Sequence, residues 1–259
     1  MVMKDIFDIS GRVAIVTGGS RGIGKMIAAE FVKRGVKTYI TSRKAKPCQE
    51  TAKELSDYGE CIAIPYDLSS VEGISGFIRE ISGREDHLDI LINNAGAAWT
   101  APFDDFPESG WDKVMNINIK SVFFLTQQFA PLLRVGASKD QPSKVINIAS
   151  IDGLRTPRLE TYSYVASKAG LIGMTGLMAK RLIDDNIIVN GIAPGAFSSN
   201  MNISARDEPD RVASVIPAKR IGRADDIAGT AVYMCSRAGD YLVGTTIAVD
   251  GGLVYARTD

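Results

Sequence analysis

The stretch Ser150–Lys168, SIDGLRTPRLETYSYVASK, holds the residues best suited to proton chemistry, and its decisive pair is Tyr164 with Lys168 four positions on. At about 100° per residue, positions four apart on a helix lie roughly 40° apart, so the phenol and the ammonium share one face. Tyr162 precedes Lys168 by six positions and falls on roughly the opposite side. A phenol that titrates near pH 10 is a weak acid–base group at neutral pH, and a fixed neighbouring cation favours its phenolate. Tyr164 is therefore the candidate proton carrier. The same spacing also suits an ordinary amphipathic pair, so the rest of the chain must decide.

A second cluster could hold phosphate. Thr17-Gly18-Gly19-Ser20-Arg21-Gly22-Ile23-Gly24 follows a β-type run and opens a helical one, the context a dinucleotide-phosphate loop requires. Glycines let the backbone turn tightly and approach a pyrophosphate, and a helix N-terminus offers free N–H groups. A plain strand-to-helix turn has the same composition. At the end of the second strand, where an NAD site carries an acidic residue, the chain reads Thr41-Ser42-Arg43-Lys44. Arg43 would attract the 2′-phosphate that a carboxylate repels, so NADP(H) is expected over NAD(H), with Arg21 as a second phosphate contact. The other reading of Arg43 is a solvated charge in a basic loop. Asp67, after the third strand, suits either capping of the next helix or binding of adenine; Asn93-Asn94-Ala95-Gly96, after the fourth, could line the ligand side or hold the turn.

The elements that must position these groups alternate along the chain. Strands are expected at Val13–Thr17, Thr38–Thr41, Cys61–Tyr66, Ile90–Asn93, Val145–Ala149, Ile187–Ile192 and Thr246–Val249. Helical patterns lie between them near Gly22–Arg34, Cys48–Tyr58, Val71–Ser82, Gly110–Leu133, Thr161–Ile183 and Asp225–Cys235. Continuous apolar strands separated by helices imply an α/β fold, a doubly wound parallel sheet covered on both faces. No linker or repeat divides it, so one domain over 1–259 is expected.

Composition narrows the function. Thirty Lys+Arg balance thirty Asp+Glu, which leaves no electrostatic footprint for nucleic acid or an anionic membrane. The one histidine, His87, lies in a charged turn, so histidine-based triads and metal sites have almost no material, and no metal is expected. Cys48, Cys61 and Cys235 are odd in number and widely spaced, which argues for a reducing compartment. Asp5 and Asp8 interrupt the apolar run that a signal peptide needs, and no later run approaches a membrane span. A cytoplasmic protein is expected.

Taken together, TGGSRGIG at Thr17–Gly24, NNAG at Asn93–Gly96, Ser150, YVASK at Tyr164–Lys168, Pro194-Gly195 and the closing Val249-Asp250-Gly251-Gly252 resemble the short-chain dehydrogenases/reductases, in order and over nearly the whole chain. The resemblance implies a Rossmann-type fold and hydride transfer between a nicotinamide and a carbonyl or alcohol carbon. It makes Tyr164 the acid and Lys168 the group that lowers its pKa and bonds the nicotinamide ribose. Ser150 would bond the substrate oxygen, and Asn118 would hold a water linking Lys168 to solvent. Gly18, Ser20, Arg21, Gly22, Ile23, Gly24, Arg43, Asp67, Leu68, Asn94, Gly96, Ile192, Pro194, Gly195 and Ser199 would line the cofactor cleft.

The separation of Ser150 and Tyr164 is one residue longer than the family pattern, so the Ile151–Thr161 loop is expected to bulge. Residues 196–223 correspond to the family's variable substrate lid. Met201, Ile203, Val212, Val215 and Ile216 could offer it apolar contacts, and Arg206, Arg211, Lys219 and Arg220 could meet an anion or simply be solvated. The Val135–Lys144 segment resembles one in some β-ketoacyl reductases, which implies a 3-oxoacyl substrate. Asp184-Asp185-Asn186, where carrier-protein-docking relatives are basic, argues against an acidic carrier protein. The alternatives are a sugar-acid, polyol or other hydroxy-compound dehydrogenase and, from a different class, a non-catalytic nucleotide-binding sensor. A homo-oligomer, tetramer or dimer, is implied, with the two long helices at one interface.

Overall fold

The computed structural model describes residues 5–256, so the first four and last three positions of the expected 1–259 domain lie outside the described residues. Seven strands form one wholly parallel sheet: β1 Val13–Thr17, β2 Lys37–Thr41, β3 Cys61–Ala63, β4 Ile90–Asn93, β5 Ser143–Ile148, β6 Ile187–Pro194 and β7 Thr246–Val249. Their order across the sheet is β3-β2-β1-β4-β5-β6-β7. The winding reverses between β1 and β4, and ligands of open α/β sheets bind at that switch, beyond the carboxyl ends of the strands.

Alternation along each strand assigns the two faces. Ala14 and Val16 of β1 pack with Ile27 and Phe31 of α1 (Gly22–Lys33), Cys48 and Leu55 of α2 (Ala45–Leu55), and Ile227 and Ala231 of α9 (Ala224–Cys235). Val13 and Ile15 pack on the other face with Ile74 and Phe77 of α3 (Val71–Ser82), Leu125 and Phe129 of α5 (Ser121–Gly136), and Leu171 and Met178 of α6 (Tyr162–Leu182). A sheet buried on both faces is what its uninterrupted apolar strands require.

Three elements differ most from expectation. The edge strand β3 ends at Ala63 rather than Tyr66, because Pro65 has no N–H with which to extend the ladder beyond the bond from Ile64 N–H to Ile40 O at 2.9 Å. Helix α2 starts at Ala45 rather than Cys48 and accommodates Pro47 in its first turn, where the missing N–H has no helical partner to lose. The helix expected over Gly110–Leu133 is two helices, α4 (Glu108–Met115) and α5, joined through a π-helical turn, Asn116–Lys120. Wide turns of this kind are rare and concentrate at functional sites.

Beyond β5 the chain forms a single 3₁₀ turn, Ile151–Gly153, and then runs irregularly to α6. The segment after β6 carries two short helices, α7 (Ile203–Asp207) and α8 (Pro209–Ser214). It is docked by a small apolar cluster of Ile216, Ile151 and Leu253, with Val212 and Ala196 against it. Among the described residues no helix is long and apolar enough to cross a membrane. The three cysteines are buried free thiols.

Candidate active site

The carboxyl ends of successive strands deliver the site. Thr17, the last residue of β1, ties two of them together: its hydroxyl donates to Ile92 O at 3.2 Å and accepts from the N–H groups of Asn94 and Ala95, both at 2.9 Å. Asn94 Nδ2 donates to Thr17 O at 2.8 Å and to Gly18 O at 3.3 Å, so NNAG holds the glycine loop in place as well as flanking it. Glycine is obligatory at two points here. Gly18 has φ +65° and faces Asn94, while a Cβ on Gly24 would lie 2.4 Å from both Asn94 Nδ2 and Gly18 O. The loop is also tied sideways, with Gly19 N–H bonding Thr41 O at 3.3 Å and the Thr51 hydroxyl bonding Ser20 O at 3.0 Å.

At the mouth of this cradle the first turn of α1 carries no acidic residue and no side-chain cap, so its N–H groups are left for an anion. Arg21 is its N-cap. Arg43 follows β2, whose Thr41 pairs with Thr17, and it is exposed with no ion pair or hydrogen bond among the described residues. Ser199 reaches the loop from the far side, its Cβ 3.3 Å from where a Cβ on Gly22 would stand. The residues present therefore fit a dinucleotide phosphate group.

Other expected cleft residues take different places. Leu68 belongs by its side chain to the core beside α3, which leaves only its backbone for a ligand. Ile192 is fully buried with Ile148 on the α1 and α9 side of the sheet, because alternation along β6 turns it inward. Asp67 accepts from Ser69 N–H and Oγ at 3.0 and 2.7 Å, and it is Ser70, not Asp67, that caps α3. Pro194 ends β6 and Gly195 follows it against the closing VDGG turn, where a Cβ on Gly195 would stand 2.7 Å from Asp250 Cα.

Around β5 and α6 the chemistry-bearing residues converge. Lys168 is buried and donates from Nζ to Ile148 O at 2.7 Å, with its nitrogen 5.7 Å from the Tyr164 ring centroid. Ser150 is buried at the end of β5, accepts from Asp152 N–H at 3.1 Å, and hydrogen-bonds the Tyr164 phenol. Asn118 lies at the centre of the π-helical turn, fully buried. Its amide donates to Ala97 O at 2.9 Å and Ser167 Oγ at 3.0 Å and accepts from Ala97 N–H at 2.8 Å. A Cβ on Gly96 would lie 3.1 Å from Asn118 Oδ1 and 3.8 Å from Lys168 Nζ. Tyr162 points elsewhere, edge-on to Phe103 and Phe106. Deeper, Asn93, Asn147, Thr126 and Thr175 form a buried network that braces the strand ends against α5 and α6.

The electrostatics depart from the sequence expectation. Burial pushes the Tyr164 phenol up to about 12, opposed by its bond to Ser150 and assisted by the Asp152 charge. Burial also brings Lys168 down to about 8. Burial outweighs any lowering of the phenol, and it is also what lowers the amine. At neutral pH the phenol keeps its proton and the ammonium its charge.

Residues 12–210 match the family model for short chain dehydrogenase. The chain belongs to the short-chain dehydrogenase family. It is 43% identical, over 96% of its length and 99% of the relative's, to the rhamnolipids biosynthesis 3-oxoacyl-[acyl-carrier-protein] reductase of Pseudomonas aeruginosa. It is 37% identical to the 2-dehydro-3-deoxy-D-gluconate 5-dehydrogenase of Escherichia coli, over 95% of this chain and 96% of that one. Among solved structures, the Pseudomonas aeruginosa RhlG/NADP active-site complex superposes with a TM-score of 0.93 at 42% identity, covering 97% of this short-chain dehydrogenase and all of that chain.

Some residues of the site had no role assigned from sequence. Thr17, Ala97 and Ser167 hold the loop and Asn118 in place, and their signal was only their adjacency to the motifs. Of the two acidic residues before β6, Asp185 is paired with Arg134 at 3.0 Å and Arg181 at 3.2 Å, while Asp184 is exposed with no ion pair among the described residues.

Proposed function

We propose that this short-chain dehydrogenase is an NADP(H)-dependent reductase of 3-oxoacyl compounds. The observation that carries the reading is the convergence of Ser150, Tyr164 and Lys168 at the carboxyl ends of β5 and β4, beside a glycine cradle built for a dinucleotide. Its similarity across the full length to a 3-oxoacyl reductase, and to a structure solved with NADP, supports substrate and cofactor.

In this reading Gly18, Ser20, Gly22, Ile23, Gly24 and the α1 N-terminus hold the pyrophosphate, Arg21 and Arg43 the 2′-phosphate, Asp67 the adenosine end, and Asn94, Gly96, Pro194, Gly195 and Ser199 the nicotinamide half. The bound nicotinamide supplies a hydride to the carbonyl carbon. Ser150 donates to the substrate oxygen, and Tyr164, neutral at pH 7, protonates that oxygen as negative charge develops on it. Lys168 keeps a positive charge beneath the phenol, and Asn118 fixes the Ala97 loop against α6 so that the charge stays in place. Residues 196–223 act as the substrate lid. A second reading, reduction of a keto sugar acid, is supported by the similarity to the gluconate-series enzyme.

Exposed Trp111, Phe123 and Leu177 on α4, α5 and α6 support a homodimer or homotetramer joined through these helices. Three buried free thiols support a cytoplasmic location.

The test is oxidation of NADPH and NADH by the purified protein with a 3-oxoacyl thioester, a free 3-oxo ester and a keto sugar acid. NADPH-dependent turnover confined to the sugar acid would replace the first reading with the second. Tyr164→Phe should retain NADPH binding and lose reduction by about 10²–10⁴-fold. An undiminished rate would mean a non-catalytic role for the pair.

A further inference from the structure

Arg155 stands five residues after Ser150, on the chain that leaves β5 and returns to α6. Its backbone N–H bonds Ile151 O at 3.0 Å, and the Ser150 hydroxyl accepts from Asp152 N–H at 3.1 Å, so hydroxyl and guanidinium leave the same tight turn. That turn is clamped to α6, since a Cβ on Gly153 would lie 2.7 Å from the Lys168 carbonyl carbon. Arg155 as a residue is half-buried, but its Nε is buried without a hydrogen-bond partner, and the guanidinium forms no ion pair among the described residues. Its charge reaches the neighbouring carboxyl of Asp152, which burial raises and Arg155 lowers.

A buried donor without an acceptor is costly, and more so when it belongs to a cation. An acceptor that arrives with the ligand removes that cost, and a guanidinium is matched to carboxyl oxygens. Resting on the 3-oxoacyl reading of the site, we propose that Arg155 is a specificity-determining residue that receives the substrate's second oxygen function, the carboxyl-derived oxygen two carbons from the reacting carbonyl. In a 3-oxoacyl thioester this is the C1 carbonyl, and in a free 3-oxo acid it is the carboxylate. A plain ketone has no group to offer Arg155. Discrimination then comes from a buried polar group left unpaired by the wrong substrate.

The test compares wild type with Arg155→Gln and Arg155→Lys. Acetoacetyl N-acetylcysteamine thioester, acetoacetate and 2-heptanone are titrated into the NADP⁺-loaded protein, where no hydride is available, and binding is read by calorimetry. Arg155→Gln should weaken the thioester or acetoacetate at least tenfold and 2-heptanone less than twofold, with NADPH affinity unchanged, and Arg155→Lys should recover part of the loss. Loss on the thioester assigns the carbonyl, and loss on acetoacetate assigns the carboxylate. Equal weakening of all three compounds, or no weakening of any, overturns the proposal. Reduction of the thioester by wild type with NADPH tests the function separately, since its failure leaves the three affinities and their ratios readable.

Discussion

Lys168→Met isolates the cost of holding a cation beside the Tyr164 phenol. Burial moves the Lys168 ammonium from its ordinary 10.5 to about 8. A tenfold change in proton affinity is worth about 1.4 kcal/mol, so the folded state carries a penalty of about 3 kcal/mol while the amine is charged. Below pH 8 the amine is protonated in both states and the penalty is complete. Between pH 8 and 10.5 the unfolded chain binds the extra proton, so unfolding free energy rises with pH, and above 10.5 the penalty is gone. Methionine has no such titration, and the bond it fails to make with Ile148 O is an offset independent of pH. The unfolding free energy of wild type minus that of Lys168→Met should therefore climb by about 3 kcal/mol from pH 7 to pH 10.5. Guanidinium unfolding followed by fluorescence at fixed protein concentration measures it, since other titrating groups cancel in the difference. A difference that is flat or falls with pH would refute the assignment of Lys168 as a desolvated cation.

Gly24→Ala should lower NADPH affinity by at least tenfold, because its Cβ meets Asn94 Nδ2 and Gly18 O at 2.4 Å and forces the cradle open; fluorescence titration of NADPH reads it, and unaltered binding would show that the loop is not the phosphate site. Arg43→Asp should raise the Michaelis constant for NADPH about ten- to a hundredfold, the size of a charged hydrogen bond lost, with little change for NADH. Equal effects on the two cofactors would separate Arg43 from the 2′-phosphate.

Much of the architecture was legible because it is written in local pattern. Apolar strands without alternation marked a sheet covered on both sides, and the strand-to-helix glycine turn marked its ligand end. Element boundaries followed tertiary rules instead. The widening at Asn116–Lys120 has no periodicity of its own in the sequence, and it places Asn118 where it bonds Ala97 and Ser167 at once. Pro47 reads as a helix breaker in sequence, but its position in the first turn of α2 makes it harmless.

The amino-acid sequence by itself determined the family and that Tyr164 and Lys168 share one helix face, since spacing on a helix fixes which side chains lie together. Only the tertiary structure decided their charge state. Removal from water raises the phenol and lowers the amine, and no sequence pattern records how much water a side chain keeps. The same holds for Asp185, which pairs with Arg134, distant in sequence, and with Arg181, and for Arg155, whose Nε is buried without a partner.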